Sequence, residues 1–204
     1  MTSTNVADGN RTVVANISLS LDGRIHGAGG EYDMGWIVPH AVTDAARDHM
    51  IRVTAPATTA LLGRKNYDGF SQFWPPVAAD EAADPRDRAF SRWLNEVEKV
   101  VFSTTVTEST WENTSLTPKS PAEVVAELRR RPGGDIVVLS SSSVIRNLLE
   151  ADAVDRLGIT LCPETVGGGP RLFDDEVTAA GSWRLVDQTV TGSGAICLLY
   201  DRAR

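Results

Sequence analysis

The sequence predicts an α/β protein: a mostly parallel sheet flanked by helices and closed by an antiparallel C-terminal edge. One observation is the stretch from Gly133 to Leu149, GGDIVVLSSSSVIRNLL. Its apolar run Ile136 to Leu139 reads as a strand covered on both faces. Four serines follow, and beyond them Val144, Ile145, Leu148 and Leu149 recur at helical spacing, so a helix begins inside the serine run, where Ser is a preferred N-cap. The other observation is element order. Strands alternate with helices to about residue 162, and two strands then follow without a helix between them, which puts an antiparallel pair at the end of a parallel sheet.

Residues 1–10 are polar and read as a disordered N-terminus, leaving residues 11–204 as a single domain. Thr12 to Leu21 alternates as a first strand, and Asp22-Gly23 makes the turn after it. The loop GRIHGAGGEYDMGW, residues 23–36, carries five glycines, too many for an element interior, and reads as a flap. From Pro39, in first-turn position, Val42, Ala45, Ala46, His49 and Met50 mark a helix up to Val53. ATTALLG, residues 57–63, is a short buried strand that runs into Gly63-Arg64-Lys65-Asn66-Tyr67.

Residues 71–88, with Pro75, Pro76, Pro85 and the acids Asp80, Glu81, Asp84 and Asp87, read as an exposed, mobile excursion. A helix from about Asp87 to Glu98, anchored by Phe90, Trp93 and Leu94, leads to a strand Lys99 to Phe102 that ends in Ser103-Thr104-Thr105. Trp111 to Leu116 is a further short strand. Ser120-Pro121-Ala122-Glu123 is a capping box that starts a helix through Arg131. After the central strand and its helix come a strand from Arg156 to Cys162, a Gly167-Gly168-Gly169-Pro170 turn, and a hairpin of Trp183 to Thr189 with Ala195 to Tyr200 around Gly192-Ser193-Gly194.

The charge count, 20 basic against 27 acidic residues for a net −7, shows no basic stripe and argues against a nucleic-acid surface. No apolar run approaches the ~18 residues of a membrane span, and the N-terminus lacks an apolar signal core. These features predict a cytoplasmic protein with no membrane partner. Cys162 and Cys197 sit in apolar runs without CxxC spacing, so buried free thiols are expected and no metal site.

Three strand ends carry polar or cationic residues: Gly63 to Asn66, Ser103 to Thr105 and Ser140 to Ser143. Ligands of open α/β sheets bind at the carboxyl ends of strands, so the three ends would line one crevice. A helix N-terminus in the serine run offers free N–H donors and a positive dipole end to a phosphate, although an ordinary serine-capped helix has the same sequence. Likewise Arg64-Lys65 suits a phosphate or a solvated pair of charges. The GxGxxG fingerprint is absent, which points away from a Rossmann nucleotide site.

Several segments together resemble the dihydrofolate reductase-like fold, and within it the reductase domain of the riboflavin-biosynthesis deaminase/reductase. They are Ser20-Leu21-Asp22-Gly23-Arg24-Ile25, Trp36-Ile37, Leu62-Gly63-Arg64, the strand-turn-helix at 136–149, Val154-Asp155-Arg156-Leu157, Gly167 to Phe173 and Ser193-Gly194-Ala195. They span about residues 12–200 in the family's order. The resemblance implies an NADPH-dependent reductase of a pteridine, a pyrimidine or a similar flat heterocycle. Matched by position, Gly63, Arg64, Lys65 and Asn66 would hold the 2′-phosphate, with Ser103 and Thr104 on the adenosine side. Ser140, Ser141, Ser142, Ser143, Val144 and Ile145 would form the turn that cradles the pyrophosphate, and Ala15, Asn16 and Ile25 would surround the nicotinamide. The cationic pair favours NADPH over NADH, because Arg and Lys make charge-assisted bonds to phosphate.

The sequence also departs from the family patterns. Ala41 stands where dihydrofolate reductases place a carboxylate, so a folate reductase would need Asp33 or Asp44 as a relocated acid. Met34 and Ser140 replace the Ser and Glu of riboflavin-pathway reductases. The candidate catalytic residues are Trp36, Asp33 and His40. The candidate substrate contacts are Asp22, Trp36, Arg47, Tyr67, Phe70 and Thr160. Each has an ordinary alternative in packing or solvation. The sequence therefore predicts an NADPH-dependent reductase of a small heterocycle, with a relocated-acid dihydrofolate reductase or a non-catalytic nucleotide-binding protein as alternatives. A homodimer is expected through Ala195 to Tyr200, an apolar strand without a guarding Pro or Lys.

Overall fold

The computed structural model describes residues 11–173 and 180–203; the N-terminal disorder expected for residues 1–10 lies outside them. One eight-stranded sheet organises the chain. Its strands are β1 (Val13–Ser20), β2 (Ala57–Gly63), β3 (Glu98–Phe102), β4 (Thr114–Thr117), β5 (Asp135–Leu139), β6 (Arg156–Cys162), β7 (Ser182–Val190) and β8 (Ile196–Ala203). They lie in the order β4-β3-β2-β5-β1-β6-β8-β7. All pairs from β4 to β6 are parallel, whereas β8 runs antiparallel to both β6 and β7. The predicted architecture is therefore the observed one.

Alternation along the strands divides the core into two layers. Val13, Ala15, Ile17 and Leu19 of β1, with Ile136 and Val138, pack under α5 (Pro121–Leu128) and α6 (Ser142–Glu150). Val14, Val137 and Leu139 face the other way, toward Val53 of α2 (Asp44–Thr54), Tyr67 of α3 (Arg64–Val77) and Phe90 and Leu94 of α4 (Pro85–Glu96). At about 25 cal/mol per Å² of apolar surface removed from water, these two layers are the dominant stabilising term.

Four expectations need correction. The excursion at 71–88 is largely helical: α3 continues to Val77 through Pro75 and Pro76, and α4 begins at Pro85. Tertiary contacts override the proline signal. Trp74 meets Phe90 edge-on at 4.7 Å, and α4 supplies donors to the last carbonyls of α3, from Ser91 Oγ to Trp74 O at 2.6 Å and from Asn95 Nδ2 to Pro75 O at 3.3 Å. The helix expected from Pro39 to Val53 is broken into α1 (Val38–Ala41), which follows a 3-10 turn (Gly35–Ile37), and α2. Thr43 breaks it by taking an extended conformation and accepting the Ala46 N–H on its side chain as the α2 N-cap. Helix α5 ends at Leu128 rather than Arg131, because Arg130 and Arg131 turn back onto Glu127 O and Leu128 O. Finally, β8 is an interior strand paired on both sides, and the unpaired edge on that side is β7.

Both cysteines are free and buried, as composition indicated, and burial pushes the Cys162 thiol up to about 12. No helix of the described residues is long and apolar enough to cross a membrane. Among the described residues no group of His, Cys, Asp or Glu could hold a metal ion.

Candidate nucleotide site at the carboxyl ends of the strands

Ser140 is where the sheet turns into the site. Its φ of +49° is left-handed, a conformation costing a non-glycine residue about 1–3 kcal/mol. It is held there by a bond from its N–H to Asn16 O at 2.8 Å. The next residue, Ser141, occupies the N-cap of α6 without capping it. Its hydroxyl instead donates to Leu139 O at 3.0 Å and accepts from Gly63 N at 2.9 Å. Gly63, the N-cap of α3, has no side chain with which to cap that helix. Two helices therefore begin side by side at the ends of β5 and β2, and neither has a side chain over its first-turn donors.

Both N-termini open on one cavity of about 500 Å³. Its walls include Gly63 to Asn66, Ser140 to Ser143, and Ile25, Phe70 and Phe102. Arg64 and Lys65 bring two positive charges to the α3 wall. Each already has a carboxylate partner: Arg64 pairs with Asp68 one turn along the helix, and Lys65 with Glu31 of the flap. The donor set is that of an anion cradle. Two dipole ends, hydroxyls and two cations sit in one concavity, the chemistry that holds a pyrophosphate and a ribose phosphate. The residues present thus fit a dinucleotide, and the apolar faces of Ile25, Phe70 and Phe102 offer contact to flat rings.

The structure separates the sequence candidates. Ile25, Gly63, Arg64, Lys65, Asn66, Phe70 and Ser140 to Ser143 line the cavity. Val144 and Ile145 turn their side chains into the core under α6. Ala15 and Asn16 lie buried in β1, where Asn16 supplies the carbonyl that sets the serine turn and keeps its own Oδ1 buried without a hydrogen-bond partner. Ser103 folds its hydroxyl back onto the N–H groups of Thr105 and Val106, and Thr104 is exposed. The third strand end therefore reaches the cavity through Phe102 rather than through Ser103 and Thr104.

Asp22 holds the turn after β1. Its carboxylate accepts from Ser20 Oγ at 2.7 Å and from Val166 N and Gly167 N at 3.0 Å. The Ser20 and Val166 bonds hold its carboxyl well below the usual range. Asp33 accepts from Gly29 N at 3.0 Å within the flap, and Asp44 is engaged by Arg86. Arg47 spends its fork on Asp87 at 2.8 and 2.9 Å, tying α2 to α4. Tyr67 bonds Ser109 Oγ at 2.7 Å and packs on Trp111. Thr160 turns toward Cys197 Sγ at 3.7 Å. Trp36 has its indole nitrogen buried and without a partner. His40, 4% exposed, is clamped between Ser193 Oγ at 2.9 Å and Glu164 Oε1 at 3.1 Å.

Sequence reasoning missed Phe102, His26, Glu31, Tyr32, Met34 and Gly69 as cavity residues. All but Phe102 and Gly69 belong to the flap, whose glycine-rich composition carries no periodicity to say which side faces inward.

Comparison with known proteins gives the family and the fold. The model of the RibD C-terminal domain family matches residues 11–197. The uncharacterized protein YyaP of Bacillus subtilis strain 168 is 26% identical over 192 residues, 93% of this chain and 94% of that protein. A Shewanella sp. PV-4 protein described as a riboflavin biosynthesis protein superposes with a TM-score of 0.68 at 22% identity, over 95% of this chain and 99% of that one. Dihydrofolate reductase from Enterococcus faecalis, solved with NADP(H), shares the fold with a TM-score of 0.59 at 17% identity, over 95% and 97% of the two chains. With a match over nearly its whole length, the chain belongs to the RibD C-terminal domain family.

Proposed function

We propose that the protein is a cytoplasmic NADPH-dependent reductase of a small pyrimidine- or pteridine-like heterocycle, similar to the reductase of riboflavin biosynthesis. The observation that carries this reading is the pair of adjacent helix N-termini, α3 and α6, opening uncapped on one cavity with Arg64, Lys65 and the serine turn in its walls.

NADPH, when bound, supplies the hydride for reduction of a C=N or C=O carbon. The chain supplies position and environment. Ser140 to Ser143 and the first turn of α6 would hold the pyrophosphate, and Arg64 and Lys65 the 2′-phosphate. The flap from Gly23 to Trp36 would cover the reacting groups and exclude water, which strengthens every electrostatic contact beneath it. Where Glu164 accepts from His40 Nε2, the ring's Nδ1 accepts the hydrogen bond of the Ser193 hydroxyl. Asp33 and Asp44, the relocated acids a folate reductase would need, are not among the residues lining the cavity, and its carboxylate, Glu31, is paired with Lys65, so no observation favours folate as the substrate.

The test is calorimetric titration with NADPH, followed by assay of NADPH oxidation at 340 nm against a panel of phosphoribosylaminopyrimidines and pteridines. Micromolar binding with turnover of one heterocycle is the expected result. Absence of nucleotide binding at millimolar concentration would overturn the reading.

A further inference from the structure

The flap's outer turn, residues 27–33, is folded on itself: Gly27 N donates to Asp33 O at 2.8 Å, Gly29 N to Asp33 Oδ2 at 3.0 Å and Asp33 N to Gly30 O at 2.9 Å. Its base is fixed to the rest of the chain through Ile25 N to Pro170 O at 3.0 Å and Arg24 to Gly169 O. Further out, the turn reaches across to α3 by an ion pair from Glu31 to Lys65. Both partners line the cavity, one carried by the flap and the other by α3. The side chains are about half exposed, 45% for Glu31 and 52% for Lys65, and such a pair is weak and exchangeable.

We infer that Glu31 determines how the site discriminates a 2′-phosphorylated nucleotide, by holding the cation that the phosphate needs. This rests on the nucleotide reading above. Arg64 is bound to Asp68 and Lys65 to Glu31, so the α3 wall is close to neutral until a carboxylate is displaced. A ribose 2′-phosphate carries up to two negative charges and more acceptor oxygens than a carboxylate, and so competes well for Lys65. Asp68 sits on the same helix as Arg64, so its displacement moves nothing else. Glu31 sits on the flap, so its displacement frees the outer turn. Binding of the phosphate and release of the outer turn from α3 are thus the same event, which leaves the flap free to fold over the reacting groups, and the coupling is reciprocal: an outer turn held by Glu31 weakens the phosphate as much as the phosphate weakens that tie. A nucleotide without the 2′-phosphate leaves the latch in place.

The test compares wild type with Glu31→Gln by calorimetry, using NADPH and NADH, and by hydrogen exchange of residues 27–33 with adenosine 2′,5′-bisphosphate as probe. Glu31→Gln is expected to tighten NADPH about two- to five-fold, the range an exposed ion pair supports, and to leave NADH unchanged. In wild type the bisphosphate should speed exchange in the flap. In Glu31→Gln exchange should be fast already and respond little. Asp68→Asn, which frees Arg64 without touching the flap, should tighten NADPH and leave flap exchange as in wild type. Equal changes for NADPH and NADH in Glu31→Gln, or no change in either while both still bind, would overturn the role of Glu31 alone. If neither nucleotide binds the folded wild-type protein, the nucleotide reading falls and this inference with it.

Discussion

Ser141 accepts the backbone hydrogen of Gly63 at 2.9 Å, so one hydroxyl ties the end of β5 to the end of β2 and is thereby withdrawn from the helix it precedes. An ordinary N-cap serine would satisfy a first-turn donor and add about 1 kcal/mol of helix stability. Here that contribution is exchanged for a cross-strand tie, and the helix end is left with unmet donors facing the cavity.

The first prediction concerns those donors. NADPH at about a hundred times its dissociation constant should stabilise the protein by ~2.7 kcal/mol, a rise of about 5–11 °C in melting temperature for a domain of this size. Ser142→Asp puts a fixed negative charge in the first turn of α6. It should leave the melting temperature of the free protein equal or slightly higher, by the helix-dipole effect, and abolish the NADPH-induced rise. A rise as large as in wild type would show that the nucleotide does not use this helix end.

Arg64 gives a second. Its side chain is 40% exposed and its guanidinium is shared with Asp68, so Arg64→Ala should weaken NADPH by about 1.5 kcal/mol, the low end for a charge-assisted contact. NADH should hardly be affected. Titration of the variant with both nucleotides decides it, and equal losses would remove Arg64 from the 2′-phosphate site.

His49 sets a pH dependence of stability. It lies 2% exposed on α2, with no hydrogen-bond partner on either ring nitrogen. Burial, and secondarily the charge of Arg52, lower its pKa from 6.5. Below pH 6.5 the unfolded chain takes up a proton that the folded chain refuses, so stability contributed by neutral His49 is complete above pH 6.5 and is lost as pH falls. Melting temperatures from pH 7.5 to 5.0 should therefore fall more steeply in wild type than in His49→Leu. Parallel profiles would mean that other groups carry the dependence.

Assembly is the fourth. A homodimer through the C-terminal edge of the sheet would now have to use β7, whose Leu185 and Val190 are 44% and 68% exposed. Light scattering at micromolar concentration should give twice 22.0 kDa, and Val190→Lys should lower the mass to the 22.0 kDa of one chain, because edge lysines oppose strand pairing. A wild-type mass of 22.0 kDa would exclude this assembly.

The sheet and its serine turn were legible because their signals are local. Ile136 to Leu139 is an uninterrupted apolar run, and Val144, Ile145, Leu148 and Leu149 repeat at helical spacing. Thr43 was equally local and was missed, since a threonine between two helical patterns reads as part of either. What stayed hidden depended on distant partners. Pro75 and Pro76 read as breakers because nothing nearby says that Ser91 and Asn95 will serve the last carbonyls of a helix that runs on through them. Glu31 and Lys65, and His40 with Glu164 and Ser193, meet only once the sheet is assembled. Strand order has the same character: β8 looks like an edge in a sequence that cannot show β7 folding back outside it.

The place of β1 bears on how the molecule is made. This apolar strand sits between β5 and β6, so its first lateral partner is synthesised only after the chain has grown from Ser20 to Asp135. At about 5–20 residues per second, that interval of 115 residues lasts roughly 6–23 s on the ribosome. Throughout it VVANISLS has both edges open and nothing to pair with. Such long-range parallel pairing folds slowly and exposes sticky intermediates. The yield of native protein should therefore depend on growth temperature and on chaperones that shield nascent strands far more than on the stability of the finished fold.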